Sequence, residues 1–203
     1  MGDYTVIAEA GQALSQAIWS AVQADDNLKQ IINNPNLISL ESPAEHVNNK
    51  DGTLLSVYLY RITEDPYLKN QPPTEGVGGG QRRTPLALDL HYLVTPLLTK
   101  AQDRQIVLGK VMQVFYDRPT LEGSDLAGTS LAQDADTLRI ILDPVPLNEV
   151  ALVWQALEIP YMLCVSYVVR VALLRSTVQS TSQRVITEDR RYGSATGAAG
   201  RSS

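Results

Sequence analysis

The sequence is poor in the residues that most often carry chemistry. It has one cysteine and two histidines in 203 residues. Cys164 has no partner for an intrachain disulfide, and its place in an apolar run predicts a small buried hydrophobic residue in a reducing compartment. One cysteine and two distant histidines, His46 and His91, provide no cluster of metal ligands. We therefore expect no metal site and no cofactor.

Long apolar runs are also missing. The most apolar window, residues 150–169, is interrupted by Gln155, Glu158 and Pro160, which makes it unsuitable for crossing a bilayer. The first residues, MGDYTVIAEA, lack the basic region and apolar stretch of a secretory signal. These features predict a protein that assembles in the cytoplasm without direct membrane insertion.

Positive charge is scarce except near the C-terminus. The formal net charge of −5 argues against a nucleic-acid-binding surface over the whole molecule. Residues 1–176 carry 13 Lys and Arg against 20 Asp and Glu, a net charge of −7, whereas residues 177–203 carry four Arg against two acidic residues, a net charge of +2. An acidic body with a basic tail favours docking of the tail onto another acidic body.

Hydrophobic periodicity predicts three helices and several strands. Apolar residues recur at helical spacing in residues 4–22, with Asp3 as N-cap, and again in 101–116 and 147–157. Alternation of apolar and polar residues predicts strands over 54–62, 86–94, 137–142 and 161–174, and a short strand near Leu37–Leu40.

These elements predict an α+β fold, with a mixed, mostly antiparallel sheet packed with about three helices. Residues 54–62 and 86–94 pair as a hairpin with a long loop. The last run, 161–174, exceeds the usual strand length, so it either bends at a bulge or reaches beyond its own sheet. Its second face is too apolar for open water and is covered by a helix or by a neighbouring subunit.

Two regions follow from this pattern. Residues 1–176 form the folded domain. Residues 177–203, rich in Ser, Thr, Gly and Ala, cannot bury enough apolar surface to fold alone, and we predict a flexible C-terminal arm.

The Gly-rich segment QPPTEGVGGGQRRTP, residues 71–85, raises the possibility of a phosphate-binding loop. Such loops need G-x-x-x-x-G-K-[ST] or G-x-G-x-x-G. Counting from Gly76, both patterns require glycine where Gln81 stands, and counting from Gly78 the second requires it at Arg83. A strand rather than a helix follows, so no helix N-terminus faces an anion. The segment is therefore predicted to be a slack connection between two strands.

No catalytic arrangement is evident either. Asp89 and His91 lie two residues apart on one face of a predicted strand, so they could make contact, but no Gly-x-Ser-x-Gly elbow accompanies them. The acidic residues form no pair spaced as a general acid and base. The expectation is that the protein is not an enzyme, with a hydrolase using Asp89 and His91 as the remaining alternative.

Four segments occur in an order that is similar to one protein family. The chain resembles the cap, or tail terminator, proteins of contractile injection systems, in the family named after the N-terminal domain of the Photorhabdus virulence cassette cap protein. The resemblance covers roughly residues 4–176 and rests on the succession LSVYLYRITEDPYLKNQPP, RRTPLALDLHYLVTP, LGKVMQVFYDRPTLEG and VWQALEIPYMLCVSYVVRVALL.

The resemblance implies a tail-terminator-like fold and a structural role. Such proteins form a ring, typically a homohexamer, on the end of the inner tube and contractile sheath far from the baseplate. They stop both polymers from growing and tie the sheath to the tube. The alternative is a monomeric adaptor or loading module of the same phage-tail-like particle. Whether the particle is released or attached to a membrane is left open.

Five arginines and one tyrosine in the loop and the arm are the predicted partner-binding residues. We hypothesise that they contact neighbouring or underlying subunits; for the two loop arginines the alternative is that they only keep the loop soluble. The predicted residues are Arg82, Arg83, Arg184, Arg190, Arg191 and Tyr192.

Overall fold

A computed structural model describes residues 4–49, 52–66, 74–75, 81–82, 85–126, 129, 131, 137–174 and 179–180. Its centre is a six-stranded sheet in the order β1-β2-β5-β8-β7-β6. β1 and β2 are parallel and the other four pairs are antiparallel, so the sheet is mixed and mostly antiparallel. Its strands are β1 (Ile38–Ser39), β2 (Leu55–Glu64), β5 (Leu86–Pro96), β6 (Thr120–Leu121), β7 (Leu138–Asp143) and β8 (Val165–Leu174).

Five α-helices lie in the described part of the chain. α1 and α4 are the long ones, and three shorter helices connect to the sheet. The helices are α1 (Val6–Gln23), α2 (Asp26–Ile31), α3 (Pro43–Asn49), α4 (Ala101–Asp117) and α5 (Leu147–Ala156). The Asp25 side chain caps α2 by accepting hydrogen bonds from the backbone N–H groups of Asn27 and Leu28.

The main core lies between one face of the sheet and helices α1, α2 and α4. On α1 the buried residues recur at the spacing of one helix face, as in Leu14, Ile18 and Val22. On β5 the alternate residues Leu90, Tyr92 and Val94 point to the same core. These side chains belong to one buried apolar cluster, whose removal from water stabilises the fold.

Two register shifts bend the central strands. One lies on β2 between Leu59 and Arg61, so that Tyr60 is an extra residue opposite β5. The other separates the pairs Leu88↔Ala172 and Leu90↔Val169, so β8 carries two residues where β5 carries one. The bulge expected for an overlong last strand is therefore present.

The α+β class and the antiparallel pairing of β2 with β5 are confirmed. Three details differ from the expectations. Two further helices are present: α3 lies in the stretch after Ile32 in which only a short strand was expected, and α2 precedes it in residues to which no element was assigned. Asp25 and the residues after Ser42 supply the local helix starts. α1 has Thr5 at its N-cap position instead of Asp3, which lies outside the described residues. β8 begins at Val165, since residues 161–164 make no ladder pairs.

Candidate assembly surfaces

A second, small sheet joins the glycine-rich segment to the start of the arm. It consists of β3 (Thr74–Glu75), β4 (Gln81–Arg82) and β9 (Gln179–Ser180), with β4 in the middle. Both of its ladders are antiparallel. The segment that was predicted as a slack connection thus contains two short strands, and the backbone of Arg82 lies beside that of Gln179.

The predicted partner-binding residues are only partly placed. Arg82 lies in β4, where its backbone pairs with β3 and β9, and its side chain is outside what the structure describes. The others, Arg83, Arg184, Arg190, Arg191 and Tyr192, lie outside the described residues, as does most of the proposed arm. Sequence reasoning treated the loop and the arm separately, and the β4–β9 pairing brings their described parts together.

The sheet face opposite the main core carries a polar network centred on His91, which is 7% exposed. Its Nδ1 lies 3.2 Å from Oδ2 of Asp143 and 3.2 Å from Nη2 of Arg61. Its Nε2 lies 3.1 Å from the Thr63 hydroxyl. Nδ1 accepts a hydrogen bond from Arg61 when unprotonated and donates one to Asp143 when protonated. The network therefore links β2, β5 and β7 across one sheet face.

Asp89, the other half of the suspected pair, does not hydrogen-bond His91. Its carboxylate lies 3.6 Å from Nε of Arg170 on β8, and its Oδ1 has no hydrogen-bond partner among the residues that the structure describes. Burial raises the pKa of the Asp89 carboxyl above its ordinary value, and Arg170 opposes that shift. The carboxylate beside His91 is instead Asp143, which is 52 positions away and was not foreseen from the sequence.

Cys164 is half-buried rather than fully buried as expected. It lies near the rings of Trp154 and Tyr161, which meet edge to face with centroids 5.9 Å apart. Burial raises the pKa of the thiol, and its neighbours oppose the shift only in part. A raised pKa keeps the sulfur protonated and weakly nucleophilic at neutral pH.

An exposed apolar surface wraps around the β7 end of the sheet. On the helix side, α4 and β7 border an open groove of about 690 Å³ whose lining includes Met112, Tyr116 and Leu142. On the opposite side, a second depression shares Met112 and Leu142 with the first and reaches α5. We call the following six residues the β7 surface: Met112, Tyr116, Ile141, Leu142, Leu147 and Tyr161, which are between 39% and 86% exposed.

The sequence carried a signal for this surface that periodicity reasoning missed. α5 reads LNEVALVWQA, with one charged residue, yet Trp154 is its only buried residue. A helix that is apolar on several faces is normally surrounded by protein. The helix that was expected to carry apolar residues on one buried face therefore also carries exposed apolar residues, Leu147 and Leu152 among them.

Two kinds of feature are not found in the described residues. No helix there combines the length and apolar character that a membrane span requires. In the same part of the chain, His, Cys, Asp and Glu side chains form no group of three that could hold a metal ion.

The solved structures similar to this chain include two terminator proteins. One is the PVC sheath/tube terminator of an extracellular contractile injection system in its extended state, at 17% identity and a TM-score of 0.49, covering 70% of this chain and 52% of that one. Another is the tube-terminating cap of the anti-feeding prophage, at 20% identity and a TM-score of 0.47, covering 68% and 48%. The chain spans about half the length of these proteins.

A search of curated protein sequences finds no match. The family profile described as the Pvc16 N-terminal domain, in contrast, matches residues 11–188. This match covers most of the chain, including α4, α5 and all six strands of the central sheet. The chain belongs to the Pvc16 N-terminal domain family.

Proposed function

We propose that this protein is the cap, or tail terminator, of a contractile injection system. In this role, subunits assemble in the cytoplasm into a ring, typically six-fold, on the end of the particle far from the baseplate. The ring ends growth of the inner tube and the sheath and anchors the sheath to the tube. The observation that carries the proposal is the match of residues 11–188 to the Pvc16 N-terminal domain family.

The sheet architecture is suited to ending a polymer. A helical tube or sheath leaves unpaired interfaces on its last layer, and a cap must cover them without offering equivalent new ones. In the described residues, the six-stranded sheet ends on both sides in two-residue strands, β1 and β6. Short edge strands are one of the devices by which proteins prevent further strand addition.

The proposed role is structural, without catalysis. Asp143, His91 and Thr63 lie in the order carboxylate, imidazole and hydroxyl, but Arg61 contacts the same His91 nitrogen as Asp143 does. The guanidinium thus competes with the carboxylate that would orient a catalytic imidazole. We interpret the cluster as a strand-linking polar network.

Deleting the gene in the producing strain is expected to give overlong tubes of uneven length and sheaths detached from them, because nothing stops subunit addition at the distal end. Electron micrographs of negatively stained particles measure both. Complementation with the intact gene serves as the control. Tubes of normal length with attached sheaths in the deletion strain would contradict the cap role. Light scattering of the purified chain separates the alternatives, since a loading adaptor stays monomeric and a cap subunit forms a larger, concentration-dependent species.

The six predicted partner-binding residues remain part of this proposal. The pairing of β4 with β9 supports it, because it places the loop backbone at Arg82 next to the start of the arm. A neighbouring subunit that binds one of these segments is then within reach of the other. We propose that Arg82, Arg83, Arg184, Arg190, Arg191 and Tyr192 contact acidic surfaces of adjacent sheath, tube or cap subunits.

Reversing the charge of both Arg82 and Arg83 to Glu is expected to detach the sheath or lengthen the particle, since two attractive contacts per subunit become repulsive. Particle length and sheath attachment are measured by microscopy. The control is the double change Lys100→Glu and Arg104→Glu, which alters the net charge equally at the start of α4. Normal particles from the Arg82/Arg83 variant would refute the contact assigned to the loop.

A further inference from the structure

We propose that the β7 surface is the site at which a second copy of this chain docks. The inference rests on the proposed function, because a ring provides each subunit with a permanent neighbour. It adds which face of the subunit that neighbour covers.

Exposed large apolar side chains are concentrated at this end of the molecule. The described residues include fourteen of them, of which nine lie on α4, β7, α5 or the segment before β8. Tyr116 is 86% exposed and Leu147 is 68% exposed. Scattered apolar residues are normal on protein surfaces, but a contiguous apolar patch marks an interaction site.

The area fits a stable protein–protein contact. With roughly 200 Å² for a fully exposed large side chain, the six residues of the β7 surface expose on the order of 700 Å². One partner in a standard interface contributes about 800 Å². Together with a surrounding polar rim, the β7 surface is large enough to form one side of such an interface.

The composition favours a copy of the chain over a transient partner. None of the six side chains is charged, and α5, which borders them, has Glu149 as its only charged residue. Interfaces of permanent homo-oligomers are more apolar than those of transient complexes. A cap ring is built from identical subunits that stay together, so the contacts between them are of the permanent, more apolar type.

The sheet edge under this surface is partly uncovered. β6 pairs only with Leu138 and Arg139, so in the described residues Ile141–Asp143 have a ladder partner on the β8 side alone. A neighbour placed on the β7 surface would cover these backbone groups together with the apolar side chains. In a ring each subunit uses two different patches, and the β7 surface is one of them.

The test is the double change Tyr116→Lys and Leu147→Lys in the full 203-residue chain. Both side chains are mostly exposed, so the variant is expected to keep its fold. Two buried, unpaired ammonium groups at the contact are expected to weaken self-association by on the order of 100-fold or more. Light scattering over a concentration series should then give the mass of the 22.2 kDa chain, where the unaltered chain gives a larger species.

Tyr4→Lys is the matched control, because Tyr4 is 83% exposed and lies before α1, outside the β7 surface. Circular dichroism checks that both variants are folded. Loss of the large species in the double variant but not in the control supports the inference. A large species that survives the double change overturns it, as does dissociation of both variants. A monomeric unaltered chain also overturns it and favours the adaptor alternative. Survival of the large species in the double variant overturns only the docking site, and normal tubes in the deletion strain overturn the cap role.

Discussion

Replacing Trp154 with alanine is expected to open α5 while the central sheet stays folded. Trp154 is 2% exposed and is the only buried residue of this helix, and it does not belong to the core shared by α1, α4 and the sheet. Truncation of a buried Trp to alanine lowers the free energy of unfolding by about 3 kcal/mol or more. Because Trp154 is the only fully buried side chain of α5, the loss should appear as local opening.

Native-state hydrogen exchange measures this effect. Amide protection over Leu147–Ala156 should fall by on the order of 100-fold, with little change in β5. Leu152→Ala, at a position of α5 that is 63% exposed, is the control and should leave protection unchanged. Equal loss of protection in α5 and β5 would contradict the local picture, since Trp154 would then belong to the main cooperative unit.

Replacing Leu90 with alanine is expected to destabilise the whole domain by about 2–5 kcal/mol. Leu90 is fully buried and lies on β5, where it pairs with Ile62 on one side and Val169 on the other. Because Leu90 is paired with a strand on each side, the backbone cannot move in to fill the cavity, and the loss of stability is correspondingly large. Native domains have only about 5–15 kcal/mol of stability in total.

Urea unfolding gives the free energy of unfolding directly. The midpoint should fall strongly, and the slope with denaturant should stay the same because the surface exposed on unfolding does not change. Leu86→Ala is the control, since Leu86 lies on the same strand and is 41% exposed. Its expected effect is below about 1 kcal/mol. Similar losses in both variants would show that β5 is not the centre of the core.

Both changes bear on assembly in different ways. Opening of α5 displaces Leu147 and alters the β7 surface, so the Trp154 variant should also lose self-association. The Leu90 variant should associate normally at low temperature, because the folded fraction keeps the surface intact. Comparing the two variants distinguishes loss of self-association by local opening of α5 from loss of the cap by unfolding of the whole domain.

The polar network allows the second sheet face to bury the polar side chains of His91 and Ser166. Tyr60 and Ser166 lie 3.3 Å apart through their hydroxyls and connect β2 with β8, while His91 and Asp143 connect β5 with β7. Buried polar groups of this kind need partners from several strands, so the network favours one strand register. The bulge at Tyr60 supports it, because it allows Tyr60 and Arg61 to approach His91 together.

Local pattern decided the elements of this fold. Alternation in LLSVYLYRI and LALDLHYLV predicted two strands, since a side-chain period of two directs one face to the core whatever the remaining chain does. Helical spacing predicted α1 and α4 to within two residues at each end. The succession of segments indicated the family that the profile match confirms.

Only the tertiary structure decided which residues meet across the sheet. His91 contacts Asp143 and not the nearby Asp89, because β8 lies between β5 and β7 and the antiparallel registers fix which side chains come close. The joining of the glycine-rich segment to the start of the arm in β4 and β9 depends on the same long-range pairing. The apolar sequence of α5 indicates a helix that protein surrounds, and only the structure shows that its apolar residues are exposed on this chain. Periodicity is a property of neighbours along the chain, whereas contact and exposure depend on strand order, and strand order is set by the packing of the whole sheet.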